Sequence, residues 1–172
     1  THLTNGLIKF ADGTKMSSRL GNVTSASDVL DIIYNLVPTE SDKATRNALM
    51  LGAVKYAFLK QRLGMDVAFD PEGSVSLQGN SGPYLQYALV RARSILAKAP
   101  AGSKPDALTF EPSERKLVQK LAAFQDECAN AIIAYAPHML CTYLYELAAE
   151  FNSFYEENRV LDNDRSALRL QL

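Results

Sequence analysis

The sequence predicts a mainly α fold, an antiparallel helical bundle preceded by a short strand, loop and helix segment, and three observations carry that expectation. Apolar residues recur at helical spacing from about Val29 to Phe154. Side chains suited to helix starts stand just before several of those runs. Gly and Pro gather at a few junctions, and only residues 1–24, with Gly6, Gly13 and Gly21 around the apolar piece "GLIKF", suit a strand and an irregular loop.

In chain order, Ser25 or Ser27 can cap a helix carrying Val29, Ile33 and Leu36, which must stop before Pro38. Thr39 and Asp42 stand at capping-box spacing ahead of a long helix expected to run to Gly64, with Leu49, Ala53, Tyr56 and Lys60 along one stripe. Residues 65–79, holding Pro71, Gly73 and Gly79, read as a structured connection. Ser81, Gly82 and Pro83 open a further helix to about Lys98. The stretch "APAGSKPDALTFEP" is a linker and a candidate mobile loop. Two long helical patterns follow, broken at Pro137; Leu117, Leu121, Phe124, Cys128, Ile132 and Tyr135 mark the first, and Leu140, Leu144, Leu147, Phe151 and Phe154 the second.

A composition of 47% hydrophobic and 22% charged residues is that of a folded domain and excludes a disordered chain. No run approaches the roughly 18 apolar residues that a membrane helix needs, and no basic-then-apolar leader opens the sequence, so a cytoplasmic protein without a membrane partner is expected. The chain opens on Thr1 with no helix start or linker, which suggests a piece of something longer. Cys128 and Cys141 have no second Cys or His at ligand spacing, so buried thiols and no metal site are expected. His138, beside Pro137, reads as structural.

Net charge is only −1, but the charges are segregated. Residues 43–65 hold Lys43, Arg46, Lys55, Lys60 and Arg62 with no acid, and residues 73–105 hold Arg91, Arg93, Lys98 and Lys104 with none. Residues 106–164 are predominantly acidic. Such a distribution can attract phosphates at one end, although ordinary solvated helix faces would give it too.

The helix near residues 83–98 faces two ways. Leu85, Leu89, Ala92 and Leu96 fall on one side, and Tyr84, Tyr87, Arg91 and Lys98 on another, roughly 135° away by helical geometry. Aromatic rings that stack on unpaired bases, with cations on the phosphates, are a usual way to hold single-stranded RNA. The alternative is that both tyrosines pack against a neighbouring helix with their hydroxyls bonded. A second candidate site is the loop "ADGTKMSSRLGNVTSASD", where Lys15 and Arg19, the Ser17 and Ser18 hydroxyls and two glycines could embrace phosphates.

"KMSSR" at Lys15 to Arg19 resembles the KMSKS signature of class I aminoacyl-tRNA synthetases, and "KMSSRLGNV" resembles its form in arginyl-tRNA synthetases. "VAFDPEGSVSLQGNSGPYLQYALVRARSIL" is similar to the start of the anticodon-binding domain of that family, "LYELAAEFNSFYEENRVL" to its late bundle helix, and "RSALRLQL" to the start of its last helix. The resemblance therefore covers almost the whole chain and implies a C-terminal fragment of such an enzyme. Residues 1–38 would be the end of the catalytic domain and residues 39–172 the helical anticodon-binding domain, cut short at its C-terminus with an apolar groove left exposed.

The implied activity joins arginine to its tRNA through an arginyl-adenylate, with ATP and Mg²⁺ as cofactors of the full-length enzyme. It assigns Lys15 to the charge on the leaving pyrophosphate, and Met16, Ser17 and Ser18 to the nucleotide. Ser18 replaces the second signature Lys, which leaves Arg19 as the substitute cation. Tyr84, Tyr87 and Arg91 match positions that meet the anticodon loop, with Asn80 and Gln86 as weaker candidates. No group in the chain could hold the amino acid or the adenine, so the fragment alone is expected to be inactive. A cysteinyl-type synthetase, or a stand-alone RNA-binding helical module, is the competing reading. "GNSGPYLQYALVRARS" argues against the first and "KMSSR" against the second.

Overall fold

The computed structural model describes residues 2–4, 6–11, 25–99, 109–161 and 164–172. The loop with Lys15, Met16, Ser17, Ser18 and Arg19, and most of the linker after Ala99, lie outside the described residues.

The N-terminal part combines β1 (Ile8–Phe10), α1 (Ala26–Leu36), α2 (Lys43–Leu59), β2 (Val67–Phe69) and the short α3 (Pro71–Ser74). The two strands pair in parallel with Ile8 beside Val67 and Phe10 beside Phe69. Ser25 is the cap of α1: its hydroxyl accepts from the Asp28 amide, and the Asp28 carboxylate accepts from the Ser25 amide at 2.7 Å. Those bonds hold the Asp28 pKa below its ordinary value. Val29 and Ile33, one helical turn apart, join Ala53, Ala57 and Phe69 in one apolar core. That core draws on residues from both sides of position 38.

Two boundaries differ from the sequence expectation in α2. Asp42 itself is the cap, its carboxylate accepting from the Ala44 and Thr45 amides at 2.8 and 3.0 Å, in place of a Thr39–Asp42 box. The helix stops at Leu59, short of Gly64, because Lys60 and the following turn close it and Gly64 takes a φ of 82°.

Beyond β2 the chain is helical: α4 (Gly82–Ala97), α5 (Pro112–Ala122), α6 (Phe124–Ile133), α7 (Pro137–Glu157) and the short α8 (Ser166–Arg169). Ser81 caps α4 through the Tyr84 amide at 3.1 Å. The single helix expected before Pro137 is two, broken at Ala123. Leu117 and Ala131 are buried, whereas Ile132 and Tyr135 of the predicted stripe face solvent, Ile132 with 73% of its surface exposed, and the half-exposed Phe124 rests against the Tyr143 ring. Tyr135 turns the chain with a φ of 51°, and Pro137 opens α7.

α4 packs on α2 and α7, α5 on α7, and α6 on α7. The pairing contacts give the directions. Tyr56 meets Asn80 and Gln86 meets Ala48, so α2 and α4 run antiparallel. Ser113 meets Asn158 while Lys120 meets Glu146, so α5 and α7 do too. Tyr84 meets Tyr145 while Arg91 meets Asn152, so the non-consecutive pair α4 and α7 run side by side in the same sense. Among the described residues no helix is long and apolar enough to cross a membrane. Cys141 is buried, which raises its thiol pKa, and Cys128 is half-buried; both are free.

The C-terminal segment is tied to α5 by charge. Glu114, with no exposed surface, accepts from Arg165 Nε and from Arg169 Nε, both at 2.8 Å. Arg169 also pairs with Glu111 at 2.9 Å. Hydrogen bonds from Arg165, and then from Arg169, hold the Glu114 carboxyl down at about 2, against the desolvation that opposes ionisation. Glu114→Gln removes the buried carboxylate and leaves Arg165 and Arg169 only Glu111 as counter-charge, and is expected to cost about 3 kcal/mol in urea unfolding. Because the folded pKa lies below the ordinary 4.5, the ion pair stabilises fully above that value and its contribution is lost as pH falls towards about 2. The variant should lack that acid-dependent loss; an acid-unfolding profile identical to wild type would contradict this role.

Candidate nucleic-acid interface

The placement of α4 begins at a backbone contact. Gly82 lies so close to α2 that a Cβ there would stand 2.2 Å from the Gly52 carbonyl oxygen, and a Cβ on Gly52 would stand 2.8 Å from Gln86 Cδ. Bonds on either side fix the crossing. Gln86 Nε2 donates to Ala48 O at 2.9 Å, and the Tyr56 hydroxyl lies 2.6 Å from Asn80 Oδ1 and 2.9 Å from Cys141 O. Lys60 Nζ donates to Asn80 O at 2.9 Å. Burial, with lesser contributions from Cys141 and Tyr145, raises the Tyr56 pKa, so this phenol stays neutral and joins α2, α7 and the start of α4. Asn80 Oδ1 and Gln86 Nε2, on two residues singled out from sequence, are thus engaged on the α2 side of α4, while Asn80 itself stays exposed.

With that rotation set, Ala88 goes inward and the Tyr87–Arg91 face turns towards α7. Arg91 Nη1 donates to Asn152 Oδ1 at 2.8 Å and Nη2 donates to the Tyr87 hydroxyl at 2.9 Å. Its guanidinium carbon lies 4.7 Å from the Tyr87 ring centroid and 4.8 Å from that of Tyr155. Among the described residues no carboxylate forms an ion pair with it. Tyr87 and Tyr155 keep 44% and 39% of their surface exposed, so both rings still offer area to a ligand. A groove of about 690 Å³ runs beside them, lined by Tyr87, Arg91, Lys98, Tyr155, Arg159 and Val160. Tyr84 is half-buried with its ring 5.7 Å from that of Tyr145, the packed arrangement, whereas Tyr87 is the open one.

Sequence reasoning found Tyr87, Arg91 and Lys98 and missed Asn152, Tyr155 and Arg159. The signal lay in "FNSFYEENR", where Asn152 and Tyr155 share a helical face distinct from that of buried Phe154. The apolar face of α4 does not dock fully as expected. Leu89 and Leu96 are 49% and 58% exposed and, with Leu85 and Ala92, border an apolar groove of about 710 Å³. Of this part of α4, Ile95 is the residue that packs against the cluster of Leu117, Phe154 and Val160.

Residues 85–172, just over half of the chain, match the family described as the DALR anticodon binding domain. The chain belongs to that family. The match begins on α4 and includes Tyr87, Arg91, Asn152 and Tyr155, so both walls of the groove are part of the DALR anticodon binding domain. Arginine–tRNA ligase of Borreliella burgdorferi is 34% identical over 178 residues, covering 95% of this chain and 30% of that protein. The enzyme of the same name from Pasteurella multocida is 33% identical, covering 99% and 34%. The chain therefore spans about a third of the length of the curated relatives it matches. Among solved structures, Thermus thermophilus arginyl-tRNA synthetase superposes with a TM-score of 0.85 at 28% identity, over 98% of this chain and 31% of that one. Arginyl-tRNA synthetase from Plasmodium falciparum gives 0.68 at 28% identity, over 84% and 27%.

Gly82→Ala tests the positioning of this DALR face. A methyl group forced against the Gly52 carbonyl is expected to cost about 1–3 kcal/mol in thermal or urea unfolding. A variant as stable as wild type would show that the helices can separate freely.

Proposed function

We propose that this chain is the anticodon-binding part of an arginine–tRNA ligase and that it holds the anticodon loop against the α4–α7 face. The observation that carries the reading is Arg91, whose guanidinium lies over the rings of both Tyr87 and Tyr155 with no carboxylate partner among the described residues. Exposed rings give stacking area to unpaired bases, which takes any base face, and a cation over them offers N–H donors to a phosphate or a base edge. Lys98, Arg159 and Glu156 line the same groove as Tyr87 and Tyr155. Asn80, Gln86 and Tyr84 enter this reading as the residues that set the angle of α4, with Tyr84 adding an edge at its start.

The rest of the proposal concerns the whole enzyme and rests on the names of the relatives and on the signature loop. Residues 1–38 belong with its catalytic domain and residues 39–172 form the anticodon-binding domain. The enzyme is cytoplasmic and joins arginine to its tRNA through arginyl-adenylate, with ATP and Mg²⁺ as family reagents. Lys15 stabilises the leaving pyrophosphate, Met16, Ser17 and Ser18 line the nucleotide, and Arg19 supplies the charge that Ser18 lacks. The relatives named above favour arginine over a cysteinyl-type enzyme.

The test is binding of the chain to an arginine-tRNA anticodon stem-loop at two salt concentrations, with Tyr87→Ala and with one anticodon base changed. Salt-sensitive binding is expected, and either change should weaken it by about 1–3 kcal/mol, the scale of one base–aromatic stack. Binding indifferent to both would remove Tyr87 from the site and the anticodon loop from this face.

A further inference from the structure

We infer that Asn152 is a positioning residue for RNA, one that aims the Arg91 guanidinium while leaving its positive charge uncompensated. The inference rests on the anticodon reading above and concerns what makes Arg91 usable there.

An arginine that links two helices is ordinarily satisfied by a carboxylate, and this fold does so at its other end. Arg165 and Arg169 tie the C-terminal segment to α5 through Glu114 and Glu111, and their charge is cancelled in place. At the α4–α7 contact the acceptor is an amide oxygen. Asn152 Oδ1 takes Nη1 at 2.8 Å, the Tyr87 hydroxyl takes Nη2 at 2.9 Å, and the guanidinium carbon lies over the two rings at 4.7 and 4.8 Å. A guanidinium has five N–H donors, so two neutral bonds orient it and leave donors for a ligand. Among the described residues no further acceptor takes them. An aspartate at position 152 would reach the same group with a charge-assisted pair, keeping the geometry and cancelling the charge. The amide therefore separates orientation from neutralisation, which suits a phosphate ligand: the cation is already aimed, so little side-chain entropy remains to be lost on binding. Glu156 lines the same groove but forms no ion pair with Arg91.

The experiment measures stem-loop affinity against salt for wild type, Asn152→Asp, Asn152→Leu, Arg91→Gln and the Arg91→Gln, Asn152→Asp double variant, with unfolding curves for each. Asn152→Asp should unfold no more easily than wild type. It should bind about tenfold more weakly, with the slope of log affinity against log salt reduced by roughly 0.7, the value for one single-strand phosphate contact. In the Arg91→Gln background the same substitution should have a much smaller effect, since there is no cation left to neutralise. If Asn152→Asp weakens binding equally with and without Arg91, the new carboxylate only repels RNA and the inference is overturned. It is also overturned if Asn152→Asp keeps wild-type affinity and slope, or if Asn152→Leu, which removes the acceptor without adding charge, binds like wild type. Should Arg91→Gln itself leave binding unchanged, the anticodon reading of this face fails first, and the role of Asn152 fails with it.

Discussion

The close crossing of α2 and α4 at Gly52 and Gly82 is the constraint from which the functional face follows. A Cβ at Gly82 would collide with the Gly52 backbone, and one at Gly52 would meet the side-chain amide of Gln86. Side-chain bonds on either side of that contact hold the rotation of α4. Gln86 is locked onto Ala48 O, Asn80 onto Tyr56 and Lys60, and Tyr87 and Arg91 are turned away towards α7. α7 is referenced to the same helix, because the Tyr56 hydroxyl also bonds the Cys141 carbonyl. Two helices far apart in sequence are thus aligned on a third, in the same direction, and residues seven apart on α4 (Tyr84, Arg91) meet residues seven apart on α7 (Tyr145, Asn152).

The charges are arranged to opposite ends at the two sides of the domain. Around Glu114 the guanidinium groups are paired and consumed, and their work is to hold the C-terminal segment; Arg169 also donates to the Arg159 carbonyl at 2.8 Å, which fixes the backbone at the far end of the groove. Around Arg91 the partners are neutral, and the charge is kept. Paired arginines stabilise at the expense of their field, whereas an oriented but unpaired one projects it into solvent, where a polyanion can respond. A nearly neutral chain can in this way present a locally cationic groove.

Much of this was legible in the residues. Ser81 announced its helix start, Ser25 was one of two serines offered for α1, and the helical wheel of residues 83–98 put Tyr87, Arg91 and Lys98 together. The break at Ala123 was not legible because alanine favours helix and no Gly or Pro marks the place; only the packing of α5 and α6 on α7 imposes it. Gln86 shares a helix with the exposed stripe, and one sequence cannot show that α2 claims its side chain. Asn152 and Tyr155 share a helical face that the sequence shows, but their partnership with Arg91 depends on α4 and α7 running side by side, a tertiary relation that no local pattern encodes.

The most direct measurement is a titration of the isotope-labelled 172-residue chain with the arginine-tRNA anticodon stem-loop, followed by backbone amide resonances. Anticodon binding at the α4–α7 face predicts the largest perturbations in residues 84–98 and 152–161. Perturbations confined to the exposed apolar surface of α6 or to the outer face of α2, with residues around Arg91 and Tyr155 unmoved, would contradict it.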